Sequence, residues 1–147
     1  EAEYTIKNPT QKKYQNKALL KEEELTGTYG TLENYFNKTK IDCKVAKEKS
    51  LYISAEGFAF PCCWLGNQLY PWYFKPQSSQ VWKMLDQLGG VDAVNVKRHS
   101  LQNVVEGDFF QKLVPDSWQK QTISGGRLKT CAKTCGVEFD PFSEQFR

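Results

Sequence analysis

Five cysteines are the residues of this sequence with the clearest capacity for chemistry. They form the pattern C-x18-C-C, a gap of 67 residues and then C-x3-C-G, at Cys43, Cys62, Cys63, Cys131 and Cys135. An odd number of cysteines, with no visible secretory signal, points away from a disulfide framework and toward metal ligation or redox chemistry. A thiolate site requires sulfurs that converge, so segments far apart in the sequence are expected to meet.

A predicted β-hairpin would carry one pair of these cysteines. Two short runs rich in strand-forming residues, 51–54 and 58–61, flank a three-residue turn that ends at Gly57, where glycine adopts positive φ at low cost. The second run leads directly into Cys62 and Cys63. Because adjacent strand residues point to opposite faces, only one of the two is expected to reach a common site.

The last two cysteines lie in LKTCAKTCG, which predicts a tight turn that holds Cys131 and Cys135 and reverses sharply at Gly136. The hairpin with its approach and this turn would then supply two thiolates each. The predicted fold class is α+β, with a small β-hairpin and several short helices packed around a cysteine-ligated metal cluster.

Helices are predicted where apolar residues recur at helical spacing between cap and stop signals. Ser78 or Ser79 can cap a helix that ends at Gly89 and Gly90. Another helical stretch is predicted to start near residue 108, to break at Pro115 and to resume over residues 116–122. Between them, residues 100–106 form either a short helix or an extended link.

The N-terminal part is predicted to be peripheral. Residues 18–25 favour a short helix, and Gly27 and Gly30 are expected to end it. The sequence is therefore divided into a lead or linker over residues 1–40 and a main domain over residues 41–147.

The spacing of Cys43, Gly57 and Cys62 carries a family resemblance. Cys43, thirteen residues, Gly57, four residues and Cys62, followed later by C-x3-C, resemble the auxiliary-cluster domains of radical S-adenosylmethionine enzymes. These are the SPASM domain and its shorter relative, the twitch domain. The likeness covers about residues 42–136 and is carried by LYISAEGFAFPCCWLGN and LKTCAKTCG. The shorter, one-cluster form fits better, because the chain has too few cysteines for two clusters.

The resemblance implies the cofactor and its ligands. One [4Fe-4S] cluster would be held by Cys43, Cys62, Cys131 and Cys135, with Cys63 as the alternative to Cys62. The domain would pass electrons, or bind a substrate or partner, in support of a radical S-adenosylmethionine enzyme. The implied partners are that enzyme's catalytic domain and its peptide or protein substrate.

One departure from the family limits what the chain is expected to do. The C-x3-C-x2-C signature of the catalytic cluster is absent, because residue 138 is a glutamate. Sequence for the preceding partial (β/α) barrel is also missing. The chain is therefore expected to have no catalytic residues and no activity alone, as an excised C-terminal domain or a free-standing accessory protein.

Two other uses of the cysteines stay open. The same four thiolates can hold zinc, which would stabilise a protein-interaction module. Alternatively, the chain is a secreted, disulfide-bonded domain, a reading for which the glycosylation sequon at Asn37 is relevant.

Composition adds mainly exclusions. Twenty Lys and Arg against seventeen Asp and Glu leave a net charge of +3, which is too small to indicate a nucleic-acid or membrane partner. No apolar run approaches the roughly 20 residues of a membrane helix, so a cytoplasmic location is expected. His99, beside two basic residues, is expected on the surface. Trp64 and the aromatic residues 70–74 are predicted to shield the cluster from water rather than to stack on bases.

Overall fold

A computed structural model describes residues 7, 9–70 and 76–139 of this chain. The fold is α+β, with short helices around one two-stranded antiparallel sheet. The α-helices are α1 (Lys17–Tyr29), α2 (Leu32–Lys38), α3 (Lys44–Glu48), α4 (Cys63–Gly66), α5 (Gln80–Asp86), α6 (Leu101–Glu106), α7 (Val114–Trp118) and α8 (Lys129–Cys135). The strands are β1 (Tyr52–Ile53) and β2 (Ala59–Phe60), and 3₁₀ turns cover Lys12–Tyr14, Asn67–Leu69, Pro76–Ser78 and Val91–Val94. Among the described residues, no helix is both long and apolar enough to cross a membrane.

The predicted hairpin is confirmed. Tyr52 pairs with Phe60, and Ile53 pairs with Ala59. Gly57 has φ of 95°, and a Cβ atom there would lie 3.0 Å from the Lys97 side chain, so both backbone angle and space favour glycine. Ala59 and Phe60 are fully buried, which anchors the strand that leads to the cysteine pair.

The main core lies between this hairpin and helices α5 to α8. Ser79 caps α5 as predicted, since its side chain accepts a hydrogen bond from the Trp82 N–H at 3.0 Å. Val81 and Leu85 of α5 are completely buried against β2 residue Phe60 and the segment that contains Phe109. Burial of this apolar face supplies most of the reason for α5 to fold here.

Pro115 does not break the helical region between residues 109 and 118, so that prediction is wrong. The chain widens into a π-helix over Phe109–Leu113 and continues directly into α7, where the proline occupies the first turn. A proline in a first turn forfeits no intrahelical hydrogen bond. Helix α7 ends at Trp118, earlier than expected, and residues 100–106 adopt the helical alternative as α6, capped by Ser100.

The N-terminal helices pack against α8. Helix α1 runs through Gly27 and ends at Gly30, which has φ of 81°, so the expectation that Gly27 ends it is wrong. One glycine costs a helix only about 1 kcal/mol, which the burial of the apolar face of α1 offsets. Tyr35 and Phe36 of α2 are buried with Ala132 of α8 in a second core cluster. A domain boundary at residue 40 stays a prediction.

The C-terminal cysteine segment is helix α8, so the predicted tight turn is wrong. Gly136 ends the helix with φ of −65°, an angle that any residue adopts. Glycine is required there for space, because a Cβ atom would clash with the Ala132 carbonyl oxygen and lie 2.5 Å from the Tyr35 hydroxyl. This close contact joins the end of α8 to α2.

Candidate metal centre

Helix α8 directs two thiols to the same side. Cys131 and Cys135 are four residues apart in the helix, so their side chains lie on one face. Cys131 is buried, with 8% of its surface exposed, and Cys135 is half-buried.

The segment before Cys43 is attached to the end of α8. Ile41 and Gly136 form an antiparallel bridge, and the backbone N–H of Asp42 donates to the Cys135 carbonyl at 2.9 Å. Cys43 then occupies the N-cap position of α3. Its sulfur lies close enough to the Cys135 thiol for each of the two groups to shift the pKa of the other.

Strand β2 positions the third segment of the site. Cys62 follows it in extended conformation and is half-buried, whereas Cys63 begins α4 and is exposed. A cavity of about 140 Å³ is bordered by Cys43, Cys62, Cys131 and Cys135, and Cys63 does not border it. The structure thus brings together the four thiols of the predicted ligand set and points the fifth away.

The four thiols border the cavity without forming a ready-made metal site. Within residues 7, 9–70 and 76–139, no group of three or more His, Cys, Asp or Glu side chains could hold a metal ion as it stands. All five cysteines are free thiols. No family model, curated protein or solved structure matches this chain. The chemistry of the site is therefore inferred from the residues that border its cavity.

The thiol pair of Cys43 and Cys135 favours one negative charge. Donation from the Cys135 thiol lowers the pKa of Cys43 and raises the pKa of Cys135, since one proton lies between the two sulfurs. Burial raises the pKa of Cys131 to about 12 and also raises the pKa of Cys62. Cys131 and Cys62 are therefore protonated near neutral pH.

Backbone N–H groups face three of the four sulfurs. The Ala46 N–H favours the thiolate of Cys43, and the Lys44 N–H favours the thiolate of Cys135. The Trp64 and Leu65 N–H groups do the same for Cys62. Neither Cys43 nor Cys62 forms a side-chain helix-cap hydrogen bond.

The fourth sulfur lies beside a side-chain donor. Trp118 borders the cavity, and its indole Nε1 is buried with no hydrogen-bond partner of normal geometry among the described residues. The same N–H is close enough to the Cys131 sulfur to lower the pKa of that thiol, partly opposing the effect of burial. A buried N–H without an acceptor is rare, and an anionic sulfur at Cys131 would satisfy it.

A buried cation stands behind the same helix. Arg127 has only 5% of its surface exposed, and its guanidinium donates exclusively to backbone carbonyls within the described chain. Its acceptors are the carbonyl oxygens of Phe36, Thr39, Trp118 and Lys120. The positive charge interacts electrostatically with Cys131. A negatively charged group at the cysteines would offset this otherwise uncompensated charge.

The donor set has the four cysteines that an iron-sulfur cluster or a zinc ion requires. Four thiols from three segments border one cavity, N–H groups face every sulfur, and a buried cation lies nearby. Hydrogen bonds to sulfur and nearby charge are the features by which proteins stabilise such clusters.

The structure also places the predicted surface histidine, the sequon asparagine and part of the predicted aromatic shield. His99 is exposed, as expected. Asn37 of the sequon accepts a hydrogen bond from the Ile123 N–H at 2.8 Å, so its side chain has a structural role. Tyr70 donates to Glu56 at 2.7 Å. Residues 71–74 of the predicted aromatic shield lie outside the described residues. Trp64, which was predicted to shield the cluster with them, borders the cavity but has 56% of its surface exposed.

Sequence reasoning missed Trp118 and Arg127. Trp118 is nine residues from Arg127 and 13 from Cys131 in the sequence, spacings that match no local motif. Two of the residues that accept hydrogen bonds from Arg127, Phe36 and Thr39, are about 90 residues away in the sequence. The local sequence SGGRLKT contains no signal that would have indicated a buried cation at Arg127.

Proposed function

We propose that Cys43, Cys62, Cys131 and Cys135 hold one [4Fe-4S] cluster, and that the chain is an auxiliary cluster domain for a radical S-adenosylmethionine enzyme. The observation that carries the proposal is the shared cavity, which these four thiols border although they come from three separate segments. The cysteine and glycine spacing supplies the link to the enzyme family.

When bound, the cluster supplies one-electron transfer. The four thiolates hold it, and the surrounding N–H groups favour its negative charge. Four cysteine ligands occupy all four irons, which favours electron transfer or structural support over direct binding of a substrate to iron. The proposed location for this activity is the cytoplasm.

Trp64 supports an electron-transfer role from its position. It borders the cysteine cavity and has 56% of its surface exposed, so it spans from the proposed cluster to solvent. A partner that contacts Trp64 would approach within one side chain of the cluster. The catalytic domain of the enzyme, or its peptide or protein substrate, is the proposed partner.

Anaerobic reconstitution with iron and sulfide tests the proposal. The wild-type protein is expected to become brown and to contain about four irons per chain. Cys43→Ser and Cys135→Ser should lose most of this iron. Cys63→Ser is the matched control, because Cys63 is exposed and outside the cavity, and it should retain full loading.

Two results would contradict the assignment. A colourless protein with one zinc per chain would favour the zinc-stabilised interaction module. Equal loss of iron in Cys63→Ser and Cys135→Ser would refute the ligand set. Zinc and iron content are measured on the same samples, so the two results are distinguished directly.

A further inference from the structure

The four sulfurs differ in the kind of donor that faces them. Cys43, Cys62 and Cys135 lie beside backbone N–H groups, which no side-chain substitution can remove. Cys131 lies beside the indole of Trp118 instead. This difference makes one of the proposed N–H donors accessible to mutation.

The position of Cys131 in α8 explains why it depends on a side chain. The next backbone N–H, that of Ala132, already donates to the Leu128 carbonyl at 3.0 Å within the helix. A cysteine at an N-cap position instead has unsatisfied N–H groups ahead of it. Cys43 and Cys62 occupy such positions, and Cys131 does not.

Trp118 is held so that its N–H faces the cavity. It is the last residue of α7, and its carbonyl oxygen accepts a hydrogen bond from Arg127. The ring packs against the main core and borders the same cavity as Cys131. Its Nε1 atom is buried and lacks a normal acceptor, so no other described group competes for this donor.

We propose that Trp118 is a positioning residue of the metal centre. When the cluster is bound, the indole N–H of Trp118 donates to the Cys131 thiolate and raises the reduction potential of the cluster. This inference rests on the proposed function. An N–H dipole stabilises negative charge on sulfur, and the reduced cluster carries one more electron than the oxidised cluster. The donor therefore favours reduction.

The test compares reduction potentials of the reconstituted wild type and Trp118→Phe. Each protein is titrated anaerobically with dithionite as electron donor, and the reduced cluster is followed by electron paramagnetic resonance. Loss of the N–H is expected to weaken reduction about tenfold, which is a shift of about 59 mV to lower potential for one electron. Trp82→Phe is the matched control, since Trp82 does not border the cavity, and its potential should equal that of the wild type.

Two outcomes would overturn the inference. Equal potentials for Trp118→Phe and the wild type, with four irons in both, would refute the role of Trp118 while leaving the proposed function intact. Failure of the wild type to bind iron would refute both. If Trp118→Phe does not fold, a tryptophan analogue with sulfur in place of Nε1–H is placed at position 118. It preserves the ring shape, and the same shift is required of it.

Discussion

Replacement of Arg127 by methionine should strongly destabilise the metal-free protein. The guanidinium joins three parts of the chain, because it donates to the end of α2, to the end of α7 and to the loop beyond α7. The Nε atom lies 2.7 Å from the Phe36 carbonyl oxygen, and Nη1 lies 3.1 Å from that of Lys120. Methionine has similar length and apolar stem but no donors, so it isolates the loss of these bonds.

The magnitude follows from the acceptors that are left behind. Four backbone carbonyls lose their donor, and a buried carbonyl without a partner costs about 1–3 kcal/mol. Lys120 is exposed, so water can replace one bond. Removal of the cation also relieves its desolvation cost. We therefore expect a loss of about 3 kcal/mol in the free energy of unfolding, a large part of the about 5–15 kcal/mol typical of a domain.

Urea unfolding of the reduced, metal-free protein, followed by tryptophan fluorescence, measures this loss. Arg98→Met is the matched control, because Arg98 is mostly exposed and pairs with Asp92 at 3.1 Å on the surface. Such a pair contributes about 0.2–1 kcal/mol. A loss below about 1 kcal/mol for Arg127→Met, or equal losses in the two variants, would refute the structural role assigned to Arg127.

Three further predictions concern α8 and its thiols. Gly136→Ala should lower the free energy of unfolding by about 2 kcal/mol, because the added methyl group overpacks the contact with α2. Gly27→Ala, whose methyl group meets no atom within 4 Å, should raise the free energy of unfolding by about 0.5–1 kcal/mol. Equal effects of the two substitutions in urea unfolding would contradict this. In metal-free Cys63→Ser protein at pH 8, iodoacetamide should label Cys43 before Cys131, because the pKa of Cys43 is lowered and the pKa of Cys131 is raised. Peptide mass spectrometry measures the order of labelling. Cysteines of the unfolded chain ionise from about pH 9, whereas Cys131 of the folded protein stays neutral to about pH 12. The free energy of unfolding of the metal-free protein should therefore fall between these pH values. It should fall less steeply in Cys131→Ala.

Local signals predicted the parts of the fold that local chemistry determines. Gly57 requires positive φ between two strand-forming runs, and Ser79 supplies a cap before an apolar helical face. Both features act within a few residues, so the sequence alone reveals them. The meeting of distant cysteine segments was expected because a thiolate site requires it, and the structure places four of the five cysteines around one cavity.

Tertiary contacts determined the parts that sequence reasoning missed. Threonine and cysteine are weak helix formers, so α8 has little local signal, and its helix depends on burial of Cys131 and Ala132. The contacts of Trp118 and Arg127 connect segments with no sequence pattern in common. Pro115 was misread because the change from π-helix to α-helix at residues 113–114, which places the proline in the first turn of α7, has no sequence signal.

The bridge between Ile41 and Gly136 has a consequence for the lifetime of the protein. It lies beside both Cys43 and Cys135, so residues 41–136 form one long loop that closes at this point. An inorganic group held by those two thiols would cross-link the two ends of this loop. Because the loop is long, the cross-link would remove much conformational entropy from the unfolded chain. The supply of iron would then decide how often the chain opens and how long it survives proteolysis.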